Sequence, residues 1–189
     1  MRKKITLLLL IIIAISIAIF AKAVKPNEFL EFMSSVYSQR QFNDSFISDD
    51  SLQKILAAGQ KAPSARNAQP WHFTVVRSKD MIDEIMPNVV DNNVLIIVSG
   101  QENNPFSSEF DTGLATQNMY LAAHALGIGA RIYAIPVPNI NENLLGKLHI
   151  PENYKAIIVL RLGYESSDVD VTTAASPRQP IENKVNYIE

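Results

Sequence analysis

The sequence lacks cysteine and is poor in histidine and in net charge. None of its 189 residues is cysteine, which excludes disulfides, zinc ribbons, iron–sulfur clusters, thiol nucleophiles and a lipidated cysteine. The three histidines, His72, His124 and His149, are far apart and have no metal-ligand spacing. The formal net charge of −2 gives no electrostatic footprint for nucleic acid. These absences indicate a globular protein whose chemistry depends neither on thiols nor on a bound metal.

Several nucleotide-binding and hydrolase motifs are also missing. No GxxxxGK[ST] and no GxSxG occurs, so neither a P-loop nor the nucleophile elbow of α/β-hydrolases is supported. Gly127-Ile128-Gly129 lies between a predicted helix and a predicted strand, and Ile132 stands where a third glycine is required. A dinucleotide fingerprint needs the order strand, turn, helix. We therefore interpret this pair of glycines as a helix stop.

The first residues differ in composition from the rest of the chain. Residues 1–4 include three basic side chains, and residues 5–21 carry no charge. This apolar run is at the short end of what spans a bilayer, and Ala21-Lys22-Ala23 resembles a signal-cleavage site. We predict that residues 1–23 are a signal peptide or an uncleaved membrane anchor, and that residues 24–189 form one domain. The protein is then exported or membrane-anchored rather than cytoplasmic.

Hydrophobic periodicity predicts helices and strands in alternation. The pattern indicates an α+β fold, an α/β sandwich with one central sheet of about four strands and a polar C-terminal arm. Helices are predicted at residues 29–37, from 49 to before 63, at 79–86, 111–126 and 141–148, strands at 71–77, 94–99, 130–135 and 156–162, and a loop at 101–110.

One polar segment, residues 61–73, concentrates groups that can bind a ligand. It places a hydroxyl (Ser64), a guanidinium (Arg66) and two amides (Asn67 and Gln69) in a turn bounded by prolines. Prolines limit backbone freedom, which suits preorganised contacts. Amides both donate and accept hydrogen bonds, so they match a ligand with alternating C=O and N–H edges, such as a flavin ring. On spacing alone, an ordinary solvated turn is the simpler interpretation.

Five segments, in the same order, resemble motifs of the FMN-dependent nitroreductase family. Residues 63–71 resemble its PSxxNxQPW motif, and residues 38–42 resemble its SxRxF phosphate-binding motif. Residues 111–129 are similar to its long central helix, residues 160–164 to its last core strand, and residues 176–182 to its closing R-x-P-[LI]-E element. The resemblance spans about residues 29–185 and implies a nitroreductase-like fold with four to five strands flanked by helices.

The resemblance implies that seven residues bind FMN. It implies that Ser38 and Arg40 hold the FMN phosphate with Arg178 from the C-terminal arm, which fits the preference of phosphate for guanidinium forks and hydroxyls. It implies that the ring and ribityl chain lie against four residues of the turn, namely Pro63, Ser64, Asn67 and Gln69. No catalytic side chain and no metal is implied, because the flavin carries the hydride.

The implied activity is electron transfer from NAD(P)H through FMN to a nitroaromatic, a quinone or a similar small acceptor. The implied assembly is a homodimer with each flavin at the subunit interface. Val36 stands where family members often have an arginine, and an exported domain has no obvious supply of NAD(P)H. Two alternatives therefore stay open: a membrane-tethered flavin-binding protein without turnover, and a dehalogenase or flavin-cleaving relative on the same scaffold.

Overall fold

A computed structural model describes residues 26–104, 108–166 and 177–188 of the chain. The chain divides into two units, residues 1–36 and residues 37–189. In the first unit, helix α1 covers Pro26–Ser35, close to the predicted helix at 29–37. Its first residue is a proline, which has no amide hydrogen to lose at that position.

The second unit is built on one antiparallel sheet of four strands. The strands are β1 (Trp71–Val76), β2 (Val94–Gln101), β3 (Gly129–Tyr133) and β4 (Tyr154–Gly163), in the spatial order β1-β2-β4-β3. All three neighbouring pairs are antiparallel. The predicted α+β class with a four- to five-stranded sheet is therefore confirmed.

Three helices pack with this sheet. They are α2 (Asp49–Gln60), α3 (Lys79–Ile85) and α4 (Ser108–Ala125). Ser48 caps α2, because its side chain accepts a hydrogen bond from the amide of Ser51. Gly59 lets α2 approach α4 closely, since a Cβ on Gly59 would lie 2.7 Å from Cγ of Met119.

The start of α4 differs from the sequence prediction. The helix begins at Ser108, so the loop predicted at 101–110 is wrong over its last three residues. The hydroxyl of Ser108 donates to the carbonyl of Gln101, 2.7 Å away, and ties the first turn to the end of β2. Glu109 and Asp111 lie in this first turn, where the helix dipole favours negative charge.

The helix predicted at 141–148 is helical only over residues 141–144 and is wrong over residues 145–148. The chain instead forms one helical turn at Val137–Asn139 and a wide π-helical turn at Ile140–Leu144. The side chain of Asn141 explains the difference, because it bonds both the N–H and the C=O of Ala156 in β4, at 2.8 and 3.0 Å. This pair of bonds ties the segment to the sheet instead of leaving a regular helix on its surface.

Two apolar layers cover the sheet. Ala115, Met119 and Ala123 of α4 are fully buried, so the narrow helix packs within its own chain. The second layer is a separate cluster that includes Ile82 of α3, Leu95 and Ile97 of β2, and Ile140. Residues 94–98 are fully buried, because β2 lies between β1 and β4 with both faces covered.

No helix within residues 26–104, 108–166 and 177–188 is long and apolar enough to cross a membrane. The signal peptide or anchor predicted at residues 1–23 lies outside the described residues. The described part of the C-terminal arm, residues 177–188, is extended apart from one 3₁₀ turn at Ile181–Asn183.

Candidate functional site

The polar turn of residues 63–69, which we term the amide turn, has an unusual backbone. Arg66, Asn67 and Gln69 have positive φ angles of 51°, 57° and 50°. Left-handed backbone is uncommon for residues with a side chain, because Cβ crowds the following carbonyl. Such a conformation persists only where the surrounding structure holds it. The amide turn is therefore a strained element, and its contacts matter more than its composition suggests.

Hydrogen bonds from both flanking elements hold the amide turn. The amide of Gln69 donates to the hydroxyl of Ser64, 2.9 Å away. Gln60, the last residue of α2, donates from Nε2 to Oε1 of Gln69 at 3.2 Å. Its own Oε1 accepts from the indole N–H of Trp71 at 3.1 Å. The amide of Ala65 lies 3.3 Å from both carboxylate oxygens of Asp111 on α4.

The side-chain amides of Asn67 and Gln69 differ in their hydrogen bonding. The side chain of Gln69 is engaged, since it accepts from Gln60 and donates to the carbonyl of Asn67. Asn67 is exposed, and its side-chain amide makes no hydrogen bond to the described residues. Asn67 is therefore the amide that remains able to pair with a ligand. Gln69 stabilises the turn, a role that sequence reasoning did not assign to it.

The segment that carries Ser38 and Arg40 runs beside β3. The amide of Gln39 donates to the carbonyl of Ala130 at 3.0 Å, and Gln39 is buried. Side chains alternate along an extended segment, so burial of Gln39 turns Ser38 and Arg40 outward, and both are exposed. This alternation brings a hydroxyl and a guanidinium to one surface.

The same segment is then fastened to the end of β4. Phe42 pairs with Glu165 as an antiparallel bridge, and Asn43 bonds the backbone of Tyr164 and Glu165 at 2.9 and 2.7 Å. The hydroxyl of Tyr37 donates to the carboxylate of Glu165 at 2.6 Å. Burial, and then the hydrogen bond and charge of Glu165, raise the pKa of Tyr37 to about 12.

A buried arginine supports the contact between this segment and β4, and its role was not predicted from the sequence. Arg161 of β4 donates from Nε to Asn93 at 2.9 Å, and its guanidinium lies 4.1 Å from the ring centroid of Phe42. Asn93 in turn donates to the carbonyl of Asn43 at 2.9 Å. Gly163 gives Asn93 its space, because a Cβ on Gly163 would lie 2.8 Å from that side chain.

Arg178 approaches the C-terminal half of α4. Burial raises the pKa of Tyr120, and the positive charge of Arg178 acts in the opposite direction, which places Arg178 near Tyr120. The ring of His124 lies 4.7 Å from that of Tyr120 and 6.2 Å from that of Tyr37. Burial lowers the pKa of His124, and a hydrogen bond with the backbone of Tyr37 partly offsets this. The ring of His124 therefore packs against the two tyrosine rings.

The structure therefore separates the predicted site residues into two groups within one chain. Ser38 and Arg40 follow Tyr37, whose ring lies 6.2 Å from that of His124 in α4, and the charge of Arg178 acts on Tyr120 of the same helix; we term Ser38, Arg40 and Arg178 the anion-binding group. The amide turn contacts Asp111 near the N-terminus of α4. Asp111 and Tyr120 are nine residues apart in the helix, which corresponds to about 14 Å and about 2.5 turns. Asp111 and Tyr120 consequently point to opposite faces of α4.

The residues present fit the two ends of a flavin mononucleotide. A hydroxyl and two guanidinium groups are suited to a phosphate, and an exposed amide on a rigid turn is suited to the polar edge of a flavin ring. Among the described residues, no cluster of histidine, aspartate and glutamate could hold a metal ion. The fold and the site together define a class of α+β proteins that bind an organic redox cofactor.

Comparison with known proteins identifies the family within this class. Residues 34–93 and 87–164 match the model of the nitroreductase family. The chain is 32% identical to a protein of Archaeoglobus fulgidus over 74% of this chain and 88% of the relative, and 34% identical to one of Methanothermobacter thermautotrophicus over 77% and 81%. Both are named "Putative NADH dehydrogenase/NAD(P)H nitroreductase". The chain belongs to the nitroreductase family.

Solved structures agree with this assignment. A protein of Desulfovibrio desulfuricans, described as "a putative nitroreductase in complex with fmn", is 27% identical with a TM-score of 0.74 and covers 88% of this chain and 99% of its own. A nitroreductase with bound FMN from Bacteroides fragilis is 25% identical with a TM-score of 0.71, over 86% and 99%. The resemblance to this family and the nitroreductase-like fold are confirmed.

The bond between Tyr37 and Glu165 predicts an alkaline change in stability. Because the pKa of Tyr37 is about 12 in the folded protein and about 10 in an unfolded chain, the unfolded state loses this proton first. The stability that the bond gives is complete below pH 10 and is lost as the pH rises towards 12. Tyr37→Phe should lower the free energy of unfolding at pH 8 by about 1–2 kcal/mol and make its decline between pH 10 and 12 shallower.

Denaturant unfolding at several pH values measures this effect, with Tyr187→Phe as the control. Tyr187 is 87% exposed, so its variant should retain the slope of the original protein. Equal slopes for Tyr37→Phe and the original protein would contradict the assignment.

Proposed function

We propose that this protein binds FMN and uses it to pass electrons from NAD(P)H to small oxidised acceptors such as nitroaromatics or quinones. The observation that carries the proposal is the family match over residues 34–164, which includes both Ser38 with Arg40 and the amide turn. The relatives named as NAD(P)H nitroreductases and the structures with bound FMN confirm the predicted class, an NAD(P)H-dependent FMN oxidoreductase.

The anion-binding group is proposed to hold the FMN phosphate. A phosphate carries up to two negative charges and accepts several hydrogen bonds, so it is matched by guanidinium forks and a hydroxyl. The exposure of Ser38 and Arg40 follows from the burial of Gln39 between them. Because the backbone bond from Gln39 to Ala130 of β3 fixes the segment that carries Ser38 and Arg40, binding of the phosphate requires little reordering of the chain.

The amide turn is proposed to contact the flavin ring. Asn67 presents a donor and an acceptor to the polar edge of the ring, and Pro63 and Ser64 lie beside it. Gln69 contributes by holding the turn through its bonds to Gln60 and Asn67. When bound, FMN supplies the hydride chemistry, and the protein supplies orientation and electrostatics. No acid or base side chain of this chain is needed for that step.

A homodimer is proposed because one chain presents the two groups on opposite faces of α4. Because Asp111 and Tyr120 point to opposite faces of α4, we infer that this helix separates the two groups within one chain. Two copies arranged so that the anion-binding group of one faces the amide turn of the other complete two equivalent sites, as expected for a twofold dimer. The resemblance to a family with flavins at the subunit interface supports the same arrangement.

Access to the flavin is proposed to be open. The segment between the end of β2 at Gln101 and the start of α4 at Ser108 is short, which leaves no room for a long insertion over the site. Acceptor choice in such a protein depends on shape and reduction potential more than on specific contacts. This supports a broad range of small acceptors.

A spectrum of the purified full-length protein tests the proposed function. We expect flavin absorbance that bleaches on addition of NADH or NADPH and returns when a nitroaromatic or quinone is added. Flavin binding without any bleaching would instead select a flavin-binding protein without turnover. A protein that stays colourless after addition of FMN would overturn the proposal.

The double variant Arg40→Ala, Arg178→Ala tests the phosphate assignment in the same experiment. Loss of two charge-assisted hydrogen-bonding groups should weaken FMN binding at least about 100-fold, as measured by quenching of flavin fluorescence. Lys54→Ala is the matched control, since Lys54 is an exposed cation that pairs with Asp50 on α2. Unchanged affinity in the double variant would refute the assignment.

Mixed dimers test the two-copy site. The variant Asn67→Ala and the double variant Arg40→Ala, Arg178→Ala should each bind FMN weakly when alone. A mixed dimer, isolated with two different tags, should regain one strong site, because the intact arginines of one copy then face the intact Asn67 of the other. If both groups of one site came from the same chain, mixing would restore nothing. Titration of FMN into the mixed dimer gives the number of strong sites.

An exported or membrane-anchored location is also proposed, supported by the basic start and the uncharged run at residues 5–21. Cell fractionation followed by mass spectrometry of the protein distinguishes its two forms. An anchor leaves the intact chain of 189 residues in the membrane fraction after an alkaline wash. A cleaved signal leaves a chain that begins near residue 24 outside the cytoplasm. An intact chain in the cytoplasmic fraction would contradict both.

A further inference from the structure

We propose that Asp111 is a positioning residue that holds the amide turn in the conformation that presents Asn67 to the flavin. This inference rests on the proposed function, because it assigns the purpose of the held conformation. Asp111 is 2% exposed, and both its carboxylate oxygens lie 3.3 Å from the amide nitrogen of Ala65. Ala65 is the first residue of the 3₁₀ turn Ala65–Asn67, so the contact acts at the entry to the strained backbone.

The carboxylate is buried without a cationic partner among the described residues. Burial of an ionised carboxylate is unfavourable unless hydrogen bonds or charges compensate it. Asp111 lies in the first turn of α4, where free amide hydrogens and the positive end of the helix dipole are available. The carboxylate thus lies at the favourable end of the helix and accepts the amide of Ala65.

Asp111 holds the amide turn from outside at its entry, whereas the bonds from the amides of Asn67 and Ala68 to the carbonyls of Ser64 and Ala65, each 3.0 Å, lie within the turn. At the exit, the amide of Gln69 is bonded to the hydroxyl of Ser64. At the entry, the amide of Ala65 faces Asp111. Between these points lie Arg66 and Asn67, both in the left-handed region. Release of the entry lets Arg66 relax to an ordinary conformation, and the side chain of Asn67 then changes direction.

Apolar contacts around the turn do not replace this bond. Ala62, Trp71 and Ala115 form a buried cluster with Phe73 and Leu114 packed against it. This cluster fixes the positions at which the turn leaves α2 and enters β1. It sets the two ends of the segment but not the φ angles of Arg66 and Asn67. The conformation of the middle therefore depends on the polar bonds.

Asp111→Asn tests the proposal, with Glu109→Gln as the matched control. Asn keeps the size of the side chain but offers one acceptor in place of two. Glu109 is an acid in the same helical turn whose partner is Lys155, so its variant removes one charge near the same dipole without touching Ala65. FMN affinity should fall about tenfold in Asp111→Asn and stay within about twofold in Glu109→Gln, a difference of about 1 kcal/mol.

A second readout does not depend on flavin. Arg66 is exposed. Trypsin cleaves after an arginine only where the backbone can unfold locally and enter the active site of the protease. In protein without FMN, Asp111→Asn should speed cleavage after residue 66 about tenfold, as followed by mass spectrometry, while Glu109→Gln should not. Equal cleavage rates in the original protein and Asp111→Asn would overturn the proposal.

Rescue separates positioning from a general structural role. Glycine adopts the left-handed conformation without a steric penalty, so Arg66→Gly removes part of the strain that Asp111 opposes. FMN affinity in the double variant Asp111→Asn, Arg66→Gly should be higher than in Asp111→Asn and close to that of Arg66→Gly alone. If Asp111 only stabilises the fold, Arg66→Gly will not restore affinity and the proposal fails. If the original protein binds no FMN, the proposed function fails, whereas the proteolysis result still reports on the turn.

Discussion

Helix α4 is the element on which the candidate site depends, because residues of this helix contact the segments that carry both groups of site residues. Asp111 near its start contacts the amide turn, and Tyr120 and His124 near its end lie beside Arg178 and Tyr37. Its middle is fully buried through Ala115, Met119 and Ala123. A helix held along its length by core packing acts as a rigid spacer. The packing of α4 in the core, and not the loops, therefore fixes the distance between the two groups and the directions in which they point.

Several features that give the candidate site its geometry are locally destabilising. Three residues of the amide turn adopt left-handed backbone, and Arg161 and Asp111 are buried charges without an ion pair among the described residues. Each of these features opposes folding. The two buried charges have specific partners: Asn93 and the ring of Phe42 for Arg161, and the amide of Ala65 for Asp111. The backbone around these partners also carries the exposed side chains of the candidate site, namely Ser38, Arg40 and Asn67.

The architecture was largely predictable from the sequence, whereas the supporting contacts of the site were not. The run at residues 94–98 has no polar position, which predicts a strand covered on both faces, and β2 is such a strand. The start of α4 was placed three residues late, because the bond from Ser108 to the backbone of Gln101 joins residues that no local pattern connects. The helical turns at residues 137–144 were predicted four residues too late. Asn141 in this segment is bonded to Ala156 of β4, a contact that no local sequence pattern indicates. Asp111 and Arg161 lie in segments that resemble family motifs, but the contacts of Arg161, Glu165 and Asp111 follow only from long-range pairing.

Opposite facing of the two groups also bears on the chemistry. In the proposed dimer, a flavin bound at its phosphate by one copy and at its ring by the other is held only when two copies are together, so cofactor retention and assembly are thermodynamically linked. The ring then lies at an interface between two rigid surfaces instead of deep within one core. An interface of this kind leaves one face of the ring open to small molecules that enter in turn. Electron donor and acceptor can use the same opening, and this exchange requires no acid or base from the protein.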